Sequence, residues 1–373
     1  MSGSTVVAIA CAIYSQSPIH PGTAFDSSTG KPPAGAIPDS SPRIGGKGTP
    51  PGKSAAKPLP PGSVGNPLCG PLGVRFLGWG PNLGPLHISG TVVLGPGQTL
   101  EIDAGTTVLA SPDAVCADSA HAGEGTGLLV TGGSLLVRGT PGHPVVFRPS
   151  IPGKDFGWGG IRVEQAVEGA VDLAWLEVHR ATTGVSFVAG AGEMRHGAVV
   201  DCGIGIAVLS GAAPRILHCV VDRSLLADVV SERSAPLFRS CLFLDGHGDG
   251  LRFQGTGIAR VETSCFWGHL GAQVVRGPEG LGSWKSDTLP DRFGNWRRDP
   301  GLRGSALDRA ATETRRIEVA AAPWWKHQRM PEPPWGSGPW ALSAFSPLLG
   351  AGERGLCRIP SGMRCDIGLW SGP

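Results

Sequence analysis

The chain has 373 residues, a net charge of +2 and only 17 % charged residues. That is enough for one large domain or two ordinary ones, and it lacks the basic footprint of a nucleic-acid-binding protein. Glycine (59) and proline (34) make up a quarter of the chain, against a usual share near ~12 %, and such an excess goes with disorder or with an architecture of very many turns.

The chain opens on "MSGSTVVAIACAIYS", a short apolar run without the basic n-region of an export signal. It falls well short of the ~20 apolar residues that span a bilayer. Ala8-Ile9-Ala10-Cys11 resembles a bacterial lipobox, in which the cysteine is lipidated and becomes the first mature residue. This reading makes residues 1–14 a signal and lipobox segment with the start codon upstream of Met1, and Cys11 the lipidation site. The protein then belongs to the cell envelope or the outside of the cell, and meets a membrane only through that anchor.

Residues 15–67 form the next segment, in which more than half the residues are Pro, Gly or Ser ("KPPAGAIPDSSPRIGGKGTPPGKSAAKPLPPGS"). Such a stretch has too little apolar surface to offset its ordering entropy, so a disordered tether is expected.

After Leu68 the character changes. "GTVVLGPGQTLEIDAGTTVLA" (90–110), "GLLVTGGSLLVRGTPGHPVVFRPS" (127–150) and "WGGIRVE" (158–164) are short β-rich runs cut by glycine, with no helical periodicity. The later runs align on themselves. "GIRV" (160–163), "GVSF" (184–187), "GIAV" (205–208), "ADVV" (227–230), "GLRF" (250–253) and "GAQV" (271–274) start 24, 21, 22, 23 and 21 residues apart. Between them recur "WLEV", "AVV", "CVV", "CLFL" and "CFW". A near-constant period of this length marks a solenoid, and short strands without helices mark a parallel β-helix. Ile161 and Val163, Val185 and Phe187, Ile206 and Val208, and Leu251 and Phe253 are expected to face inward. They should stack on their counterparts at about 4.8 Å per coil.

Residues 88–163, through "GTVVLGPGQTLEIDAGTTV", "LLVRGTPGHPVVF" and "WGGI", resemble the opening of the bacterial right-handed parallel β-helix (pectate-lyase-like) proteins. "DPGL" (299–302) and "SPLLGAGERGLCRIPSGMRCDIG" (346–368) resemble the way such domains close. The expected fold is therefore all-β, a right-handed parallel β-helix over 68–373, with coils about 88–284 and a loop-rich C-terminal cap about 285–373. The resemblance identifies a fold and not an activity, because this fold carries lyases, hydrolases, epimerases and noncatalytic surface proteins.

"DGHGDG" (245–250) stands out within the repeat. Asp245 follows "CLFL", Asp222 follows "CVV" and Asp201 follows "AVV", at spacings equal to the period, so the three aspartates are expected to stack at one turn. One reading is structural. Aspartate tolerates unusual backbone angles and accepts nearby amide hydrogens, and Gly246, Gly248 and Gly250 supply the turn. The other is catalytic, with Asp245 and His247 as acid and base on a sugar, supported by Asp222 and Arg252. Gly246-His247-Gly248 matches the Gly-His-Gly element of the polygalacturonase branch. The branch's Asn-Thr-Asp, Asp-Asp and Arg-Ile-Lys elements are missing. The outward row, aligned as Arg162, Ser186, Ala207, Val229, Arg252 and Gln273, offers no acid cluster for Ca²⁺. Ca²⁺ enters only under the lyase alternative, and otherwise neither cofactor nor metal is expected.

Residues 322–340, "APWWKHQRMPEPPWGSGPW", hold Trp324, Trp325, Trp335 and Trp340. They read either as a lid packed on the end or flank of the helix or as indole platforms for sugar. No pair of the nine cysteines has C-x-x-C spacing, which argues against zinc. The eight beyond Cys11 permit four disulfides, while Cys202, Cys219, Cys241 and Cys265 read as small buried side chains. His121, His143, His196, His218 and His269 lie scattered over different coils. The expected function is a noncatalytic envelope-associated or secreted β-helix protein with a rigid surface for polysaccharide or an envelope protein. The alternative is a polysaccharide lyase or glycoside hydrolase acting on acidic polysaccharide through Asp245 and His247.

Overall fold

The computed structural model describes residues 62, 67–73, 75–112, 126–151, 157–257, 259–276, 293–297, 299–302, 340 and 348. The signal segment, most of the tether and most of the cap lie outside these residues.

The described chain is a parallel β-helix. Its regular structure is 24 strands and one short 3-10 turn, Pro81–Leu83. A typical coil has three strands. Gly160–Glu164 lies in a first wall, Val171–Ala174 in a second and Leu176–His179 in a third. Each pairs in parallel with its counterparts in the coils before and after. The second wall is an eight-stranded sheet. The first and third walls join through Leu86–Leu94, whose first half pairs with Thr107–Ala110 and whose second half pairs with Gly127–Thr131.

The alternating β-branched and aliphatic residues explain the coil. Ile161, Val163, Val185, Phe187, Ile206, Val208 and Leu251 are buried inside, and Phe253 packs against the same core. Burying each such side chain fully contributes about 1.5–3 kcal/mol. Like stacks on like along the axis, as in Phe243 on Phe266 with ring centroids 4.8 Å apart.

The corners are single residues in the left-handed region. Between the second and third walls these are Trp175, His196, His218, Ser240 and Thr263, with φ from 46 to 54°. Arg180, Asp201, Arg223 and Asp245 end the third-wall strands in the same way. This conformation costs an L-residue roughly 1–2 kcal/mol. The stack offsets that cost, because each corner amide donates to a carbonyl of the next coil. Examples are Trp175 N to Arg195 O at 3.0 Å and His196 N to Leu217 O at 3.1 Å. The Trp175, His196 and His218 rings also stack, with centroids 4.5 and 5.2 Å apart.

The register corrects the alignment in two coils, by one residue in the first and by two in the second. Ala207 pairs with Val230 and Arg252 with Val275, so Val230 and Val275 replace Val229 and Gln273 in the outward row. Leu242 pairs with Cys265, and Ser264 takes the rung expected for its cysteine, accepting from the Cys241 amide at 3.1 Å. Cys202, Cys219, Cys241 and Cys265 are buried thiols, the apolar reading. Cys69 is disulfide-bonded, and Cys11, Cys116, Cys357 and Cys365 lie outside the described residues.

The outer sides of the walls differ. The second wall carries a solvated ladder of ion pairs, among them Arg138–Asp172, Arg195–Asp172 and Arg239–Glu262. The third wall is covered. Ala198, Val200, Val220, Leu242, Leu244 and Cys265 form a second buried cluster with Trp340 and Leu348, and Trp296 and Leu302 pack at its margin.

Candidate functional site

The corner after the third wall holds two of the three aspartates singled out in the sequence. Asp201, Arg223 and Asp245 occupy equivalent left-handed positions, and their amides donate to Asp222 O, Leu244 O and Trp267 O at 3.0, 2.9 and 2.8 Å. Asp222 lies one residue earlier, paired with Val200 and Leu244. The expected stack of three aspartates is therefore a row of alternating charge, Arg180, Asp201, Arg223 and Asp245. Aspartate and arginine alternate at the turn, so the corner aspartates Asp201 and Asp245 lie two coils apart.

These carboxylates are engaged. Arg223 reaches Asp201 through Nε and Nη2 and reaches Asp222 Oδ2 through Nη1 at 2.8 Å. Asp222 is 0 % exposed and also accepts Trp340 Nε1 at 2.8 Å. Trp340 is 3 % exposed, so its ring packs on the flank and offers no open face. Trp324, Trp325, Trp335 and Cys11 lie outside the described residues.

The "DGHGDG" loop covers a different pair. Asp228 Oδ2 and His269 Nε2 are 2.7 Å apart, and both side chains are fully buried. His269 Nδ1 lies 2.6 Å from Gln273 Oε1. A carboxylate and an amide oxygen both accept, so this arrangement gives the ring both protons and makes the pair ionic. Burial alone pushes His269 down, but Asp228, Gln273 and the Asp245 charge outweigh it and hold its pKa above 6.5. Burial raises Asp228, against His269 and Ser224, which lower it.

Asp228 stands where the adjacent coils carry Gly205 and Gly250, as the pairings of Val229 with Ile206 and Leu251 require. Space for it comes from the loop. A Cβ on Gly246 would meet His269 Cδ2 at 2.8 Å and Asp228 Oδ1 at 3.3 Å, and one on Gly248 would meet Leu226 O at 1.9 Å. The glycines thus let the loop close over an ion pair. The loop's charged side chains then differ in role. Asp249 accepts Arg252 Nε and Nη2 at 3.0 and 2.6 Å and the Ala272 amide at 3.0 Å. Asp245 supplies charge near His269. His247 is exposed, stacked between the exposed Leu225 and Leu270 through the amide bonds His247 N to Ser224 O and Leu270 N to Gly246 O.

The pairing of Asp228 with His269 escaped sequence reasoning. One signal was present: "ADVV" places an aspartate where the aligned runs have an inward apolar residue. That conflict disappears once the run moves by one position. Among the described residues no three of His, Cys, Asp and Glu gather as a metal site. Comparison with protein-family models, curated proteins and solved structures found no match for this chain.

Proposed function

We propose that this is a noncatalytic β-helix protein of the pectate-lyase-like type, exported to the cell envelope or beyond, whose rigid walls bind carbohydrate or a protein of the envelope. The observation that carries this reading is how the acids are used. Asp201 and Asp222 serve Arg223 and Trp340, and Asp228 serves His269. A hydrolase or lyase needs carboxylates or a base facing one bond in an open cleft. Here the carboxylates hold coils and flank together. Cys11 is the proposed anchor, and Trp324, Trp325 and Trp335 are the proposed sugar platforms.

The test is a screen of the full chain against acidic and neutral polysaccharides, with and without Ca²⁺. Binding without new chain ends is the expected result. Release of unsaturated or reducing ends that disappears in Asp245→Asn or His247→Ala overturns it. That outcome would establish the alternative, a polysaccharide lyase or glycosidase. One observation favours this second reading, namely that His247 is exposed in the same loop as Asp245, whose charge acts on His269.

A further inference from the structure

Arg148 lies far from that loop, on the outward side of the third wall. It is 2 % exposed, and its Nε and Nη2 are buried without a hydrogen-bond partner. Its strand, Val145–Pro149, turns Val145 and Phe147 inward, which sends Arg148 to the outer side. Pairing places it beside Leu109, and Leu109 pairs in turn with His87. On the other side, Val178 pairs with Phe147, so His179 takes the next rung. The row therefore reads His87, Leu109, Arg148, His179, with rungs about 4.8 Å apart. Glu177, buried on the same wall, lies 3.4 Å from His179 Nε2.

A buried guanidinium with idle N–H groups is costly, because it has left water and found no acceptor. The two idle nitrogens are informative together. Nε–H and Nη2–H point the same way along one edge of the plane, the edge that takes two coplanar oxygens side by side. His87 on the same row can turn an N–H toward a bound oxygen, while His179 keeps its Nε2 toward Glu177. His87 is only half-buried and marks the open side.

We propose that Arg148, with His87 and His179 along its row, forms an oxyanion-binding site that takes a carboxylate, or a sulfate of the same two-oxygen edge, from a small acidic ligand. The site stands on the third-wall geometry and does not depend on whether the "DGHGDG" loop is catalytic. In the ligand-free protein the burden shows as depressed basicity. Burial lowers the Arg148 pKa, and burial together with the Arg148 charge lowers that of His87. A bound anion reverses the electrostatic part of both.

The test uses the full chain with acetate, glucuronate and sulfate, each against chloride at matched ionic strength. Two readouts are followed, the thermal midpoint and the His87 ring-proton titration by NMR. A midpoint that rises and saturates with anion, together with an upward shift of the His87 titration, is the expected result. The acetate and sulfate arms tell a carboxylate from a sulfate ligand. Arg148→Met should abolish both responses without lowering the ligand-free midpoint, because it removes an idle buried charge. Arg148→Lys keeps the charge but loses the two-pronged edge, and should bind about tenfold more weakly. Three results overturn the proposal: no response to any oxyanion in the wild type, an undiminished response in Arg148→Met, or a ligand-free midpoint that collapses in Arg148→Met.

Discussion

Arg223 reaches one coil back and holds both oxygens of Asp201, with Nε at 2.8 Å from Oδ1 and Nη2 at 3.1 Å from Oδ2. Its third nitrogen holds Asp222 at 2.8 Å. The two carboxylates differ in burial, so the two halves of the grip should differ in energy. Replacing Arg223 with Ala takes the guanidinium from the buried Asp222 carboxylate, and should cost about 3–5 kcal/mol. Asp201→Asn removes only the partly exposed half and should cost about 1 kcal/mol. Urea denaturation measures both, and equal losses would refute the assignment.

Trp340 and Leu348 tie the C-terminal segment to the flank of the helix. Trp340→Phe keeps the ring against Val220 and Leu242 and removes the N–H donated to Asp222. A loss of about 1–3 kcal/mol is expected, with faster proteolysis of the segment. A double-mutant cycle with Asp222→Asn should show coupling, and strictly additive losses would mean that the bond contributes nothing.

The Asp228–His269 pair gives stability a pH dependence with a definite sign. The folded state holds both groups above their ordinary values of 3.8 and 6.5. A group with a raised folded pKa favours the fold below its unfolded pKa, and that contribution is lost as pH rises through the folded value. Stability should therefore fall as pH is raised above 6.5, when His269 gives up its proton. His269→Gln should flatten this limb. A stability that instead rises between pH 6.5 and 9 in the wild type would contradict the ionic pair.

Gly246 should be intolerant of a methyl group. Gly246→Ala forces a carbon against His269 and Asp228, and should cost about 1–3 kcal/mol. Gly78→Ala, where nothing lies within 4 Å of the added carbon, is the control. His247→Ala, at an exposed position, should stay within about 0.5 kcal/mol of wild type. Any binding or turnover lost in that variant would report function and not folding.

The four buried thiols should resist modification. Burial drives the Cys219 thiol well above its ordinary pKa, and the neighbouring Cys241 adds to the effect. Thiol reagents should leave Cys202, Cys219, Cys241 and Cys265 unlabelled until the helix unfolds, as read by mass spectrometry. Labelling of Cys219 in the native protein at pH 8 would refute the packing.

The strand period, the inward residues and the parallel stack were legible in sequence, because an interior row of one coil must meet the same row of the next. Ile161, Val185 and Ile206 carry that signal unaided. The site was less legible. Matching Cys219-Val220-Val221 to Ala198-Val199-Val200 points to Asp222 at the corner, whereas Ala198 pairs with Val220 and the corner falls on Arg223. His269 and Asp228 are 41 residues apart, and no local pattern links them.

A coil period near 22 residues, with short apolar strands buried against their repeats, is written in the order of the amino acids. That follows from the alternation of side chains along each strand, which is a local property. Which charges meet is settled in three dimensions. Arg223 with Asp201, Trp340 with Asp222, Asp228 with His269 and the idle edge of Arg148 all depend on exact register between coils, and register is set by every corner and loop before it.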